Sequence, residues 1–289
     1  MVHRHMRLSS EYYSREEEEW SIWVLRGKWQ ADLWPSLLAL IEKQPFSKHP
    51  QTLQLEAPFA ADADMFFLKI FHGFSGVGMF KDIFRDSKAF RSLRQAAALA
   101  RFNFYVPIAV AAGEQRKHRL LRKAFILTLG LQGQPLPAFL RQLGVNGQGM
   151  SLLEKRRGLK QLALEIRRLH RLGFVHGDLV PTNIFVSRSA EGENRLFLMD
   201  NDRTRRYPRW FPQTFWRRNL VQLNRIPLPG ITLQDRVRFF KYYFGLTEWG
   251  SKERRLLGWL ERKTRQRRRE CDSVDVKGSF RQLMQWHAH

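Results

Sequence analysis

The chain has little cysteine, a shortage of acids and no long apolar run, and each shortage narrows what it can be. Its 289 residues include one cysteine, Cys271, so an internal disulfide framework is excluded and a reducing compartment fits. No cluster of Cys and His has the spacing of a zinc site. No stretch is apolar and long enough to span a bilayer. Met1 to Glu19 holds charges, including the run Glu16 to Glu19, but no apolar signal core, which argues against export. Acids are outnumbered: 27 Asp and Glu against 50 Lys and Arg give a formal net charge of +23. Such a charge attracts polyanions (nucleic acid, anionic lipid or a phosphorylated glycan) without choosing among them.

What is present is enough apolar material for a full core, 43% of the residues, as one large domain or two lobes. The most informative stretch is Phe174-Val175-His176-Gly177-Asp178-Leu179-Val180-Pro181-Thr182-Asn183, followed by the apolar Ile184-Phe185-Val186 and then Leu196-Phe197-Leu198-Met199-Asp200-Asn201-Asp202. An Asp is followed five residues later by an Asn, and a second Asp closes the next apolar run. That is the layout of a phosphoryl-transfer site. The first Asp orients and deprotonates a hydroxyl, while the Asn and the second Asp hold magnesium on ATP phosphates. Magnesium is a hard cation that takes carboxylate and amide oxygens, usually with only one or two carboxylates. The context agrees with the motif. A helical run ends at Gly173, a short strand precedes His176, and two strands flank a polar tip over Ser187 to Asn194, the second delivering Asp200 at its end.

Upstream, Met65 to Phe71 reads as a strand in which Lys69 is the only charge. Burying an unpaired ammonium is costly, so a partner is expected, and ATP phosphates would supply one. The competing reading is a lysine that snorkels from a strand edge. Elsewhere the pattern predicts helices over Trp34 to Glu42, Ser87 to Ala100, Ser151 to Leu172, Pro212 to Leu223, Thr232 to Phe244 and Lys252 to Arg268. It predicts strands over Thr52 to Phe59, Val106 to Ala111 and Lys123 to Leu129, a turn over Gly113 to His118, and a loop over Gly130 to Leu136. Ser151 with Glu154 reads as a capping box, and residues 1–20 read as poorly ordered. Basic residues cluster over 203–218 and again over 252–269, where Leu256, Leu257, Trp259 and Leu260 give the helix an apolar side.

With these pieces in place the chain resembles the Kdo/WaaP-type (InaA-like) lipopolysaccharide kinases, a branch of the protein-kinase-like superfamily. The resemblance runs from about Asp64 to Phe244. It rests on the strand lysine, on Phe84-Arg85-Asp86-Ser87-Lys88-Ala89-Phe90-Arg91 entering a helix, on Val106-Pro107 with Ala112-Gly113-Glu114, on the HGDLxxxN loop, and on the Met199-to-Arg203 strand end. Arg218 to Asn224 and Asp235 to Tyr243 are similar to the family's large-lobe helices, and set it apart from aminoglycoside phosphotransferases and choline kinases.

The resemblance implies an α+β, protein-kinase-like bilobal fold with a β-rich small lobe carrying one main helix and a mostly helical large lobe. The expected layout is an N-terminal extension over 1–45, partly disordered, a small lobe over 46–133, and a large lobe over 134–289 with a basic helical end. It implies a phosphotransferase with ATP and Mg2+ that phosphorylates a heptose or Kdo hydroxyl of the lipopolysaccharide inner core. The setting would be the cytoplasmic face of the inner membrane of a Gram-negative bacterium. Asp178 would be the base, His176 its brace, and Asn183 and Asp200 the metal ligands, with Asp202 an additional candidate. Lys69 would bind the nucleotide. Partners would be the lipid-linked glycan and the anionic membrane surface, with no nucleic acid. Two alternatives remain: a kinase of another small or carbohydrate hydroxyl substrate, similar to an aminoglycoside phosphotransferase, or a catalytically degraded kinase fold acting as a basic binding module. Two departures matter for the latter. No GxGxxG loop precedes Lys69, since Gly73, Gly76 and Gly78 all follow it, and the helix after Ser87 has no Glu to pair with Lys69.

Overall fold

The computed structural model describes residues 10–29, 33–55, 65–73, 83, 85–142, 152–208, 210, 214–225 and 231–273. The chain forms two compact units, one from Met1–Gly133 with Ser187–Thr204 and one from Gln134–Val186 with Arg205–His289. The segment carrying Asp200 therefore belongs with the first unit although it follows the HGD loop in sequence.

The first unit is built on an antiparallel sheet. Its strands are β1 (Tyr12–Glu17), β2 (Trp20–Leu25), β3 (Gln51–Leu55), β4 (Phe66–His72), β5 (Ala109–Lys117) and β6 (Leu120–Leu129), in the order β1-β2-β5-β6-β4-β3. Helix α1 (Leu33–Lys43) covers one face and α2 (Lys88–Ala100) the other. Strand alternation sends side chains to opposite faces. Trp20, Ile22, Val24, Leu68, Ile70, Phe125 and Leu127 pack with Trp34, Leu37 and Ile41 of α1. Phe71, Ala112, Ala124 and Ile126 pack with Ala89, Phe90 and Leu93 of α2. Lys69 sits between Leu68 and Ile70, so its period-two face is that of Phe71 and α2. The start of α2 is fixed by Ser87, a buried N-cap whose Oγ accepts from the Phe90 amide at 3.2 Å. Glu114 Oε2 in turn accepts from the Ser87 amide at 3.1 Å.

Three local expectations are corrected here. Residues 12–25 are a paired hairpin, not a poorly ordered tail. The Glu16 to Glu19 run hides the signal, because Glu18 takes the turn at φ 52° while Trp20, Ile22 and Val24 alternate inward. The expected turn over Gly113 to His118 is instead the end of β5, and the chain reverses at His118 and Arg119, both at positive φ. Gly113 serves contact: a Cβ there would meet Phe125 Cε1 at 2.4 Å. The expected loop up to Leu136 gives way to β7 (Gln134–Pro135) and a short helix α3 (Leu136–Gln142). Residues 56–64, including the end of the expected Thr52 to Phe59 strand, lie outside the described residues, as do Gly76, Gly78 and Ser151 of the expected capping box.

The second unit is mostly helical. It holds α3, α4 (Leu152–Arg171), β8 (Phe174–Val175), β9 (Ile184–Arg188, which carries the chain out of this unit), β11 (Arg205–Arg206), α5 (Phe215–Arg225), α6 (Leu233–Phe244) and α7 (Ser251–Ser273). Strand β10 (Asn194–Leu198) lies between β9 and β11 in sequence and belongs to the first unit. Helix α4 buries Leu159, Leu162, Ala163, Ile166 and Leu169, and packs along α6. Lys155 on its buried face is tolerated because Asp235 of α6 meets it at 2.6 Å. Burial pushes the Asp235 carboxyl up, but hydrogen bonds from Lys155 and Thr232 outweigh it and hold the group below the ordinary range. Asp235 also closes a capping box with Thr232 at the start of α6. Removing either charge would cost up to about 3–5 kcal/mol, softened on the Asp235 side by Arg238, whose Nη1 also reaches Asp235 Oδ1 at 3.3 Å. Gly173 ends α4 at φ 84°, and a Cβ there would meet the Tyr207 carbonyl oxygen at 2.3 Å. No helix among the described residues is long and apolar enough to cross a membrane.

Candidate active site

In the second unit, the HGD loop leaves β8 directly after the Gly173 cap. His176 is fully buried, and its Nδ1 accepts from the Asp178 amide at 3.1 Å. The chain then makes a 3-10 turn over Pro181–Asn183, and Asn183 Nδ2 donates to the Asp178 carbonyl oxygen at 2.9 Å. His176, Asp178 and Asn183 are thus tied into one loop by bonds that fix its backbone on both sides of Asp178.

That loop is held by α5 through residues absent from the expected site. Asn219 is fully buried and its amide is saturated. Oδ1 accepts from the His176 amide at 2.9 Å and faces His170 Nε2 at 3.2 Å. Nδ2 donates to the His176 carbonyl and to Gln222 Oε1. Because the His176 amide can only donate, Asn219 Oδ1 must accept, and His170 therefore carries its proton on Nε2 and accepts from the Tyr243 hydroxyl at Nδ1, 2.7 Å away. Burial pushes His170 down to about 4, opposed by the Asn219 bond and aided by His176. Two polar residues at i and i+3 on the inner side of an otherwise amphipathic helix were the available signal for this clamp.

The neutrality of His170 has a consequence for stability. Its folded pKa lies below the unfolded value near 6.5, so as pH falls from 6.5 toward 4 the unfolded state binds a proton that the folded state refuses. Stability should drop by about 3 kcal/mol over that window, flattening once both states are protonated. His170→Gln, which cannot titrate, should lose that part of the pH slope when melting temperatures are followed against pH. Parallel slopes for the two proteins would contradict it.

In the first unit, β10 delivers Asp200 beside Lys69, with Nζ 2.6 Å from Oδ1. This supplies the partner that α2 lacks as a Glu. Asp200 adopts a left-handed backbone (φ 56°, ψ 53°), which a non-glycine residue seldom takes and Asp tolerates better than most. A 3-10 turn over Asn201–Arg203 follows, anchored by buried Asn201, whose Nδ2 donates to the Leu198 carbonyl at 2.8 Å. Asp202 lies mostly buried, 3.8 Å from Arg91 of α2. Burial, then the nearby Asp200 carboxylate, push its pKa up, against the pull of Arg91. Helix α2 thus meets the acidic turn through an arginine, Arg91, where an acid paired with Lys69 would be the usual arrangement.

Lys69 and Asp200 are 28% and 42% exposed, and partly exposed pairs stabilise a fold by only about 0–1 kcal/mol. Lys69→Met should therefore barely move the melting temperature, while kcat/KM for ATP falls about 10–100-fold through loss of a charge-assisted phosphate contact. A stable variant with normal kinetics would return Lys69 to the snorkelling reading.

The model of the lipopolysaccharide kinase (Kdo/WaaP) family matches residues 61–243, well over half of the chain. The N-terminal hairpin, α1 and α7 lie outside that span. Among solved structures, WaaP in complex with acyl carrier protein is 21% identical, covering 82% of this chain and 95% of that one with a TM-score of 0.58. It supports a protein-kinase-like fold. The Mycobacterium tuberculosis PknI kinase domain (C20A_R136A double mutant) is 14% identical over 76% of this chain and 92% of its own, TM-score 0.38. The Rio2 kinase-ADP/Mg2+-phosphoaspartate complex from Chaetomium thermophilum is 13% identical over 89% and 82%, TM-score 0.37. Both are too distant in shape to carry an argument. Among curated proteins, none matches.

Proposed function

The chain belongs to the lipopolysaccharide kinase (Kdo/WaaP) family, a family of phosphotransferases with an alcohol acceptor, and from that premise we propose that it transfers the γ-phosphoryl group of ATP to a heptose or Kdo hydroxyl of the lipopolysaccharide inner core. The observation that carries this is the loop in which His176 Nδ1 and Asn183 Nδ2 brace the backbone on both sides of Asp178. Asp178 accepts the proton as the sugar oxygen bonds to the γ-phosphorus and the bond to the β,γ-bridging oxygen breaks, releasing ADP. His176 keeps the base in place. Lys69 neutralises the α/β-phosphates.

The donor set suits magnesium. Asp200 offers a partly exposed carboxylate. Asn183 commits Nδ2 to the Asp178 carbonyl, which leaves its Oδ1 as the atom that can meet a hard cation. Asp200 and Asn183 would hold the ion, with Asp202 less suited because it is buried against Arg91. Bound there, magnesium would offset phosphate charge. The acceptor assay uses ATP labelled in the γ-phosphate and lipopolysaccharide core lacking phosphate. Label transferred to the glycan supports the reading, and label released only to water or to other hydroxyl compounds contradicts it.

A lipid-linked acceptor also favours work at the inner face of the inner membrane, and α7 is the proposed contact. The apolar side of this helix is partly taken up by the fold. Leu260 is buried, Leu256, Leu257 and Trp259 are half-buried, and α7 packs on α5. Arg268 is committed to the Asn224 and Arg225 carbonyls at 2.7 and 2.8 Å. Charge remains: Arg254, Arg255, Arg262, Lys263, Arg265, Arg267 and Arg269 are exposed. Each is worth about 1 kcal/mol near an anionic bilayer. Replacing Arg262, Lys263, Arg265 and Arg267 with Gln should release the protein from anionic vesicles at moderate salt and leave activity on a lipid-free acceptor unchanged. Unchanged co-sedimentation would make this a solvated face.

A further inference from the structure

Gln222 lies on α5, one turn beyond Asn219, and its side chain reaches the loop on both sides of Asp178. Oε1 accepts from the Leu179 amide at 3.2 Å and from Asn219 Nδ2 at 2.9 Å. Nε2 faces the Gly177 carbonyl oxygen at 3.2 Å and Asp178 Oδ1 at 3.4 Å. The orientation of this amide is not a free choice. Asn219 Oδ1 is bound to accept from the His176 amide, so Asn219 Nδ2 must donate. The Leu179 amide independently requires an acceptor at the same Gln222 atom. Nε2, with its two protons, is thereby turned toward Gly177 and the Asp178 carboxylate.

We propose that Gln222 is a positioning residue that aims the Asp178 carboxylate, with Asn219 as the anchor that sets its orientation. The proposal rests on the reading of Asp178 as the base. The chemistry explains the residue type. A lysine at 222 would pair with Asp178 and weaken it as a base. A glutamate would turn an acceptor toward the Gly177 carbonyl and a charge toward Asp178. A neutral amide can donate to one carboxylate oxygen and leave the charge intact. The contact to Oδ1 is long, so its worth is directional: it restricts rotation of the carboxylate about its own bond while the other three bonds hold the amide still. Misplacement of a catalytic group by about 1 Å can cost about 100-fold in rate.

The test is a double-mutant cycle in the labelled-phosphate assay, with Gln222→Leu and Asp178→Asn alone and together. Gln222→Leu should lower kcat about 10–100-fold and keep KM for ATP within about twofold, since no nucleotide contact is removed. Placed on the residual rate of Asp178→Asn, the same change should cost less than about twofold, because there is no longer a charged base to aim. Should Gln222→Leu melt early, Gln222→Met carries the same cycle, since it keeps the length of the side chain, removes the donor and places no charge beside Asp178. Wild-type kcat in these variants, or equal losses in both backgrounds, would overturn the proposal while leaving Asp178 as base. A normal rate for Asp178→Asn would overturn the reading of Asp178, and this proposal with it.

Discussion

Asp178→Ala should abolish turnover, with kcat down by about 1,000-fold or more, and leave the fold intact. General-base removal alone is worth about 100- to 10,000-fold, and the carboxylate also orients the attacking hydroxyl. The fold should survive because the loop is held by backbone groups of the residue. The Asp178 amide is bonded to His176 and its carbonyl to Asn183, and both bonds remain in alanine. Among the described residues, the one side-chain hydrogen bond that disappears is the long one from Gln222. Circular dichroism and melting temperature should match the wild type within a few degrees. A variant that keeps most of the wild-type rate would show that Asp178 is not the base.

Asp200→Asn should remove magnesium-dependent nucleotide binding. Asn tolerates the left-handed backbone at this position nearly as well as Asp, so the change isolates charge from strain. Groups that merely support a metal ligand cost about 10–100-fold in metal affinity when lost. A direct ligand that is also the Lys69 partner should cost at least about 100-fold in MgATP affinity. Calorimetric titration of MgATP reads this directly. Unchanged affinity with persisting activity would exclude Asp200 as the ligand and turn attention to Asp202.

The HGD loop and the strand lysine were legible because the chemistry forces residue types at fixed spacing. Asp178 and Asn183 stand five apart on one loop, and Lys69 is a lone charge in an apolar strand. Helix α2 was legible from Ser87 onward because its cap is local. Other features depend on what meets what in space. Nothing in the order of residues says that Asp200 pairs with Lys69 across 131 positions. The arginine of α2 that reaches Asp202 was invisible to a search for an acid. Asn219 and Gln222 stood in a stretch already noticed for its resemblance, but their task emerges only once α5 is laid against the loop. The N-terminal hairpin was obscured by its own turn, where four glutamates outweigh the alternation of Trp20, Ile22 and Val24. Gly113 misled in the opposite way, since a glycine needed for close packing on Phe125 reads like a turn. The apolar side of α7 was legible in its leucines and tryptophan, but that α5 packs against this helix was not.

On the proposed function, this chain phosphorylates a sugar of the lipopolysaccharide inner core. The most direct measurement compares, by mass spectrometry, the core oligosaccharide of cells carrying the wild-type gene with that of cells carrying only Asp178→Ala. The variant core should be lighter by one phosphate on a single heptose or Kdo residue, restored by the wild-type gene in trans. Identical core masses in the two strains, with both proteins expressed, would contradict it.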